Sequence, residues 1–236
     1  MQQIGEWVAA SGLTRSQVAQ RAGLARSTLL RIEAGDTVPS LRTLRELAIA
    51  CGLDIDIRTR PVSDPAAAEA ARLMLEDGYQ PHDQAAADTW VERLTRQVGE
   101  DPVAITRAAG RAASLTHRPG AFHLTGTVPL LRVASAGEGA GGTWAISGAP
   151  PLGADGTIVL WSERPDVAAR LLTETARKAT SPSVATVIVA AAHPGVFHDT
   201  WQEGPVRYVA PIQMLLDAFG LEPALQSAAL DEARRW

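Results

Sequence analysis

The stretch that decides the fold of the N-terminal region runs from Leu13 to Gly35 and reads LTRSQVAQRAGLARSTLLRIEAG. It contains two short helical patterns that meet at Gly23. Thr14 can cap the first helix, and Gly23 can adopt the left-handed backbone conformation that ends it. The apolar spacing places four side chains in one small core: Val18, Leu24, Leu29 and Ile32. The stretch therefore predicts a helix-turn-helix unit.

A further helix is predicted directly downstream. Ser40 can cap a helix from Leu41 to Cys51, and Gly52 can end it. The predicted inward face of this helix consists of Leu41, Leu44, Leu47, Ala48 and Cys51. Residues 1–60 should thus form a compact all-α bundle of three or four helices.

The stretch resembles the Xre/Cro family of helix-turn-helix regulators, whose members often read LTQEELAERAGVSRSTISRIERG at these positions. The residues in register are Ala19, Gly23, Arg26, Ser27, Thr28, Ile32, Glu33, Gly35 and Pro39. The resemblance covers residues 1–60 and implies that the helix from Ala25 to Ala34 enters the major groove of DNA.

Three departures from the family pattern concern side-chain contacts. Arg15 stands where many relatives have glutamine, and Ala25 stands where a capping serine is common. Losing a cap costs on the order of 1 kcal/mol of helix stability. The first helix also lacks the arginine that often pairs with the glutamate corresponding to Glu33, so we expect Arg21 or Arg31 to take that place.

The predicted DNA contacts divide into two groups. Base edges are assigned to Ser27, Thr28 and Arg31, and Arg26 can reach either a guanine or a phosphate. The predicted contacts to the DNA backbone are Arg15, Gln17, Thr37 and Arg42. The alternative is that each arginine is merely a solvated charge on a helix face.

Residues Leu53 to Arg58 alternate apolar and polar side chains, which predicts a short strand with Leu53, Ile55 and Ile57 on one face. In some Xre-type antitoxins such a strand pairs with its symmetry mate, which implies a homodimer on a roughly palindromic site. Alternatively the strand pairs with the rest of its own chain. With either partner, Asp54 and Asp56 form the solvent face of this strand.

The remainder of the chain predicts a helical segment at 61–118 and a mixed α/β domain at 119–236, so the fold class is α+β with several domains. The predicted helices are Ala66 to Glu76, Asp83 to Val98, Pro102 to Ser114, Asp166 to Lys178, Pro211 to Phe219 and Pro223 to Arg234. The predicted strands are Ala121 to Leu124, Trp144 to Ser147, Thr157 to Trp161 and Val184 to Ala191. Gly137 to Gly142 predicts a flexible hairpin or linker. The helical segment is basic at Arg93, Arg96, Arg107, Arg111 and Arg118, which suggests a second DNA surface or a solvated face.

Composition limits the classes of function. The formal charge of −4 divides into +2 for residues 1–60 and −6 for the remainder. No apolar run approaches the ~20 residues of a membrane span, and no signal segment is evident, so we expect a cytoplasmic protein without membrane contact. Cys51 is the only cysteine and has no second thiol to pair with. His193 and His198 match no metal-ligand spacing, and we expect no metal, no cofactor and no catalysis.

A second resemblance involves the C-terminal region, to AbiEi-type antitoxins of type IV toxin–antitoxin systems. It is carried by FHLTG at 122–126, TIVLW at 157–161 and RYVAPIQMLLDAF at 207–219. Ala210 and Met214 replace the usual serine and leucine, and the family usually has a winged helix at its N-terminus. The resemblance implies autorepression and a nucleotidyltransferase-like toxin as partner.

The leading hypothesis is a sequence-specific DNA-binding repressor. A second hypothesis makes the C-terminal domain a small-molecule sensor, with Trp144, Trp161 and Trp201 as candidate pocket walls. A third makes it an enzyme directed to DNA by its N-terminal domain, with Asp54 as the residue to test.

Overall fold

The computed structural model describes residues 2–235. The chain divides into two compact units, Met1–Arg60 and Pro61–Trp236. The helices that the sequence analysis assigned to a separate segment at 61–118 belong to the same unit as residues 119–236. No helix within residues 2–235 combines the length and the apolar character needed to cross a bilayer.

The first unit consists of four helices: α1 (Gln2–Ala10), α2 (Arg15–Arg21), α3 (Arg26–Ala34) and α4 (Leu41–Ala50). Its core contains the predicted Val18, Leu29 and Ile32, with Leu24 packed at the margin. On α4 the prediction was wrong at Leu41, which is 59% exposed. Leu41 and Ile49 are separated by two helical turns and share an exposed row, whereas the buried face runs through Leu47 and Ala48.

The predicted strand from Leu53 to Arg58 is absent. Residues 53–64 form no helix or strand in the described chain, so the alternative pairing with the rest of this chain does not occur. A strand needs a hydrogen-bonding neighbour, and here the backbone is partly satisfied locally, because Asp54 Oδ1 accepts the Ile55 N–H at 2.9 Å. Leu53 and Ile57 remain exposed. Pairing with a second copy of the chain stays a prediction.

The second unit begins with three helices, α5 (Pro65–Leu75), α6 (Gln84–Val98) and α7 (Pro102–Ala112). Their predicted positions are confirmed. Each one starts at an aspartate whose carboxylate accepts a backbone N–H of the first turn, and these caps are Asp64, Asp83 and Asp101. Gly110 allows α7 to lie directly against Leu216 and Phe219, because a Cβ at this position would collide with both residues.

A mixed seven-stranded sheet follows, in the order β4-β1-β5-β3-β2-β7-β6. Its strands are β1 (Phe122–Thr125), β2 (Trp144–Gly148), β3 (Ile158–Ser162), β4 (Arg177–Lys178), β5 (Val187–Ala191), β6 (Trp201–Glu203) and β7 (Val206–Tyr208). The pairs β3–β5 and β2–β7 are parallel, and the other pairs are antiparallel.

Helices cover both faces of this sheet, so the central strands are buried on both sides. One face packs against α8 (Leu130–Ala140) and α9 (Pro165–Leu172), and the other against α10 (Pro211–Phe219) and α11 (Pro223–Ala233). Short 3₁₀ turns lie at Pro150–Leu152, Pro182–Val184 and Pro194–Phe197. The predicted mixed α/β architecture is confirmed.

Two predictions of secondary structure in this unit were wrong. The helix expected to reach Lys178 ends at Leu172, because Arg177 and Lys178 pair with β1 as a short edge strand. The glycine-rich run from Gly137 is the last turn of α8 and not a hairpin or linker. Gly137 lies so close to the Trp144 ring that a Cβ would be 2.7 Å from its Cδ2 atom, and Glu138 accepts the Trp144 Nε1–H at 2.9 Å. Tight packing on an aromatic ring therefore offsets the low helix propensity of glycine.

Candidate nucleic-acid interface

The turn between α2 and α3 has the predicted geometry. Gly23 lies in the left-handed region at φ +67°, and the Leu24 N–H donates to the Ala19 carbonyl at 2.8 Å. A Cβ at Gly23 would meet nothing within 4 Å, so glycine is favoured here by backbone conformation and not by lack of space. This turn sets α3 against α2 and fixes which face of α3 is buried.

The start of α2 is stabilised by a reciprocal capping arrangement. The Thr14 hydroxyl accepts the Gln17 N–H at 3.3 Å, and the Gln17 Oε1 atom accepts the Thr14 N–H at 2.9 Å. Gln17, a predicted phosphate contact, therefore uses its oxygen for the cap and keeps its Nε2 donor for another acceptor.

Arg15 forms an ion pair across the turn with Glu33, with 2.8 Å between Nε and Oε2. The prediction that Arg21 or Arg31 pairs with Glu33 was wrong. Arg15 stands at the first position of α2, where its side chain reaches α3, and sequence spacing alone does not show this proximity. The Oε1 atom of Glu33 is buried and has no hydrogen-bond partner among the described residues.

The exposed face of α3 is mainly polar, although the apolar side chain of Leu30 is also exposed on it. Arg26, Ser27 and Arg31 are exposed and Thr28 is half-buried, while Leu29 and Ile32 on the opposite face are fully buried. Ala25 provides no side-chain cap, as predicted. The four predicted base-reading and guanine-or-phosphate residues thus share one accessible side of a single helix.

The predicted backbone contacts lie around this helix. Arg15 and Arg26 line one concave surface of about 380 Å³ together with Thr14 and Ser16. At the other end of α3, the Thr37 N–H donates to the Arg31 carbonyl at 3.2 Å. Arg42 is exposed in the first turn of α4, directly after the Ser40 cap. The structure brings Arg15 and Arg26 together and places Thr37 and Arg42 in and after the α3–α4 loop.

Residues 2–60 match the family model of a helix-turn-helix domain. The match ends where the first compact unit ends, and it supports a DNA-binding regulator. Neither the curated proteins nor the solved structures contain a match to this chain.

The second unit holds a polar cluster that sequence spacing did not reveal. The Glu69 carboxylate is buried, and its Oε1 atom lies 2.8 Å from His193 Nε2. Burial raises the pKa of this carboxyl, but His193 and the backbone N–H groups of Asp83 and His82 outweigh it, so the pKa lies below its ordinary value. Glu69 and His193 are far apart in sequence, and no local pattern links them.

Arg72 completes this cluster and is fully buried. It donates to both carboxylate oxygens of Glu76 and to the backbone carbonyls of Gly195 and His198, so it holds the loop after β5 against α5. Potential metal ligands from Glu76, His198 and Asp199 lie within 4.8 Å of one another. Because Arg72 already neutralises Glu76, this arrangement is better explained as a structural ion pair.

The three tryptophans predicted to line one pocket do not do so. Trp144 is buried on the α8–α9 face of the sheet, Trp161 is buried on the α10–α11 face, and Trp201 stacks on Tyr208. Trp161 Nε1 donates to Asp217 at 2.8 Å within the core, where burial raises the pKa of Asp217. Successive side chains of a strand point to opposite faces of the sheet, and Trp144 and Trp161 lie on opposite faces.

Proposed function

We propose that this protein is a sequence-specific DNA-binding transcriptional regulator that represses its own operon. The observation that carries the proposal is the mainly polar, accessible face of α3, opposite a fully buried apolar face, in a domain that matches a helix-turn-helix family. In such domains the second helix of the motif lies in the major groove. The protein acts in this proposal by binding, without catalysis, in the cytoplasm.

The position of each side chain supports the role assigned to it in the proposal. Ser27, Thr28 and Arg31 contact base edges, and Arg26 contacts a guanine or a phosphate. Phosphate contacts are assigned to Arg15, Gln17, Thr37 and Arg42. Arg15 can serve two partners, because its Nε atom binds Glu33 and its terminal nitrogens are left to donate to a phosphate.

A homodimer is part of the proposal. Leu41, Ile49, Leu53 and Ile57 are large apolar side chains that are all exposed in the first unit. Burying them against a second copy would give two α3 helices related by a two-fold axis and would favour a palindromic operator.

The test is fluorescence anisotropy of the full chain on DNA from upstream of its own gene, over a range of salt concentrations. We expect Arg31→Ala to lose roughly 1–3 kcal/mol of specific binding free energy. Arg15→Ala should weaken binding to all DNA sequences and reduce the salt dependence of the affinity. Arg170→Ala is the matched control, because Arg170 is exposed in the second unit and pairs only weakly with Asp166. Equal binding of operator and scrambled DNA would refute the proposal.

The antitoxin role is a finer hypothesis within this function. The residues that resemble AbiEi-type antitoxins form β1, most of β3, part of β7 and the buried helix α10, so they belong to the sheet and to one of its covering helices in the second unit. Coexpression with a neighbouring nucleotidyltransferase-like protein tests it: growth should be rescued by the full chain. Continued toxicity despite soluble expression would remove the antitoxin role and leave the DNA-binding role intact.

A ligand-sensing regulator is the second candidate. The observation that favours it is a largely apolar cavity of about 550 Å³ between α5, α7, α10 and α11. Cavities of roughly 300–1,000 Å³ with apolar walls are typical of small-molecule sites.

A further inference from the structure

The cavity of the second unit has walls from four helices. The residues that line it are Leu75 at the end of α5, Val103 and Thr106 of α7, Ile212 and Leu215 of α10, and Ala233 of α11. These walls are mainly apolar, and all belong to one compact unit. The cavity volume of about 550 Å³ would accommodate an apolar chain or ring system of small-molecule size.

The polar groups in the cavity wall are already engaged. Both carboxylate oxygens of Glu76 accept from Arg72, and Asp101 accepts the Ala104 N–H at 2.8 Å as the cap of α7. The Thr106 hydroxyl donates to the Pro102 carbonyl at 2.7 Å. The cavity therefore favours an occupant whose enclosed part is apolar.

A basic groove of about 580 Å³ adjoins this cavity. The two share Asp101 and Val103 in their walls, and the consecutive residues Ala233 and Arg234 line one each. The groove is lined by Arg107 and Arg111 of α7 and by Arg234 after α11. Arg111 is held by Gln226 at 3.1 Å, and Arg234 lies 3.9 Å from Asp231, so positive charge prevails beside the apolar cavity.

We propose that this paired site binds a small amphipathic anion. The apolar body occupies the cavity, and a carboxylate or phosphate head meets Arg107 and Arg234, since guanidinium groups match both anions. A small molecule is favoured over a partner helix, because the cavity has the volume that is typical of a small-molecule site and its walls come from four helices. This inference names a ligand class for the ligand-sensing regulator. Only the claim that the ligand regulates DNA binding rests on the proposed function.

The test uses three probes of equal chain length: decanoate, decan-1-ol and decyltrimethylammonium, each below its micellar concentration. Isothermal calorimetry on the full chain without DNA should give the order decanoate, then decanol, then the cation. The carboxylate should gain roughly tenfold in affinity over the alcohol, the effect of about one charge-assisted hydrogen bond. Equal affinities, or tighter binding of the cation, would overturn the assignment.

Variants separate the two parts of the site. The double substitution Arg107→Ala and Arg234→Ala should reduce decanoate affinity to that of decanol, and Val103→Phe should weaken all three probes by filling the cavity. Arg96→Ala is the control, since Arg96 is exposed on α6 and lines neither volume. Thermal unfolding without probe confirms that each variant folds. Unchanged binding by folded Val103→Phe would place the probe elsewhere and refute the site.

Anisotropy on DNA keeps this inference separate from the proposed function. If Arg107→Ala leaves decanoate binding unchanged but weakens DNA binding and its salt dependence, the groove is a second DNA surface and the ligand assignment fails. If decanoate binds as expected while operator binding is absent, the ligand site stands and the regulator proposal fails.

Discussion

The two units of this chain place their polar side chains in opposite ways. In the first unit the arginines and hydroxyls of α3 lie at the surface, and the core beneath them is aliphatic. In the second unit Arg72, Glu69, Gln213 and Asp217 are buried among helices and strands. Charges at a surface are available to a large anionic partner, whereas buried charges must find their partners inside the fold. The first unit is therefore built for contact, and the second depends on internal polar networks for its structure.

The largest expected effect comes from breaking the buried network. Arg72→Ala should destabilise the second unit by about 3–5 kcal/mol, because it strands the Glu76 carboxylate and two backbone carbonyls. Urea unfolding followed by tryptophan fluorescence measures this, since Trp90, Trp144 and Trp161 all lie in the second unit.

Arg31→Ala in the first unit is the direct comparison, together with Arg170→Ala as a surface control. Both remove an exposed guanidinium and should change stability by less than about 0.5 kcal/mol. A small loss for Arg72→Ala would mean that the buried network contributes little, and the contrast between the two units would disappear.

Smaller effects are expected from two glycine substitutions, one of which should lower the stability of its unit and the other raise it. Gly110→Ala should destabilise the second unit by about 1–3 kcal/mol, because its Cβ would overlap the Leu216 backbone and the Phe219 side chain. Gly5→Ala should stabilise the first unit by about 0.5–1 kcal/mol, because Gly5 is helical in α1 and its Cβ would meet only Glu33 Oε1, at 3.9 Å.

Far-UV circular dichroism during thermal unfolding of the full chain reports both changes. The informative outcome is whether each substitution raises or lowers the unfolding temperature. If Gly110→Ala is neutral, the close contact between α7 and α10 relaxes without cost, and the packing explanation for this glycine is wrong.

Whether an element could be predicted from the sequence depends on whether its determinants are local. The α2–turn–α3 motif was predictable because its determinants are local: Thr14 at a cap, Gly23 at a turn, and apolar side chains three and four residues apart. The helices α5, α6 and α7 were predictable for the same reason, as each begins at an aspartate cap.

What could not be predicted depends on residues distant in sequence. Gly137 forms a helix because Trp144 packs on it, and the strand at 53–58 fails because no neighbour pairs with it. The hairpin of β6 and β7 was missed because its strands have only three residues each, which is too short for a clear alternating pattern. The contact between Arg15 and Glu33 also requires the turn to be formed first.

The smallest expected effect is a pH dependence confined to the second unit. Burial raises the pKa of Asp217 above 3.8, although Trp161 and Gln213 donate to its carboxylate. Its contribution to stability is therefore fully present below the unfolded pKa and is lost as the pH rises through the raised folded pKa. Glu69 has a lowered pKa, so its contribution is present above 4.5 and is lost as the pH falls through the folded value.

Urea midpoints of the second unit, measured across this acid range, distinguish the two carboxyls. The stability of Asp217→Asn relative to wild type should improve as the pH rises above 3.8, because the variant lacks the group whose ionisation opposes burial. Glu69→Gln should show the reverse, with its deficit shrinking as the pH falls below 4.5. The stability of the first unit should respond to neither substitution. Parallel curves for wild type and Asp217→Asn would show that the buried carboxyl does not titrate differently in the folded state, and the internal polar network would then lose its clearest electrostatic signature.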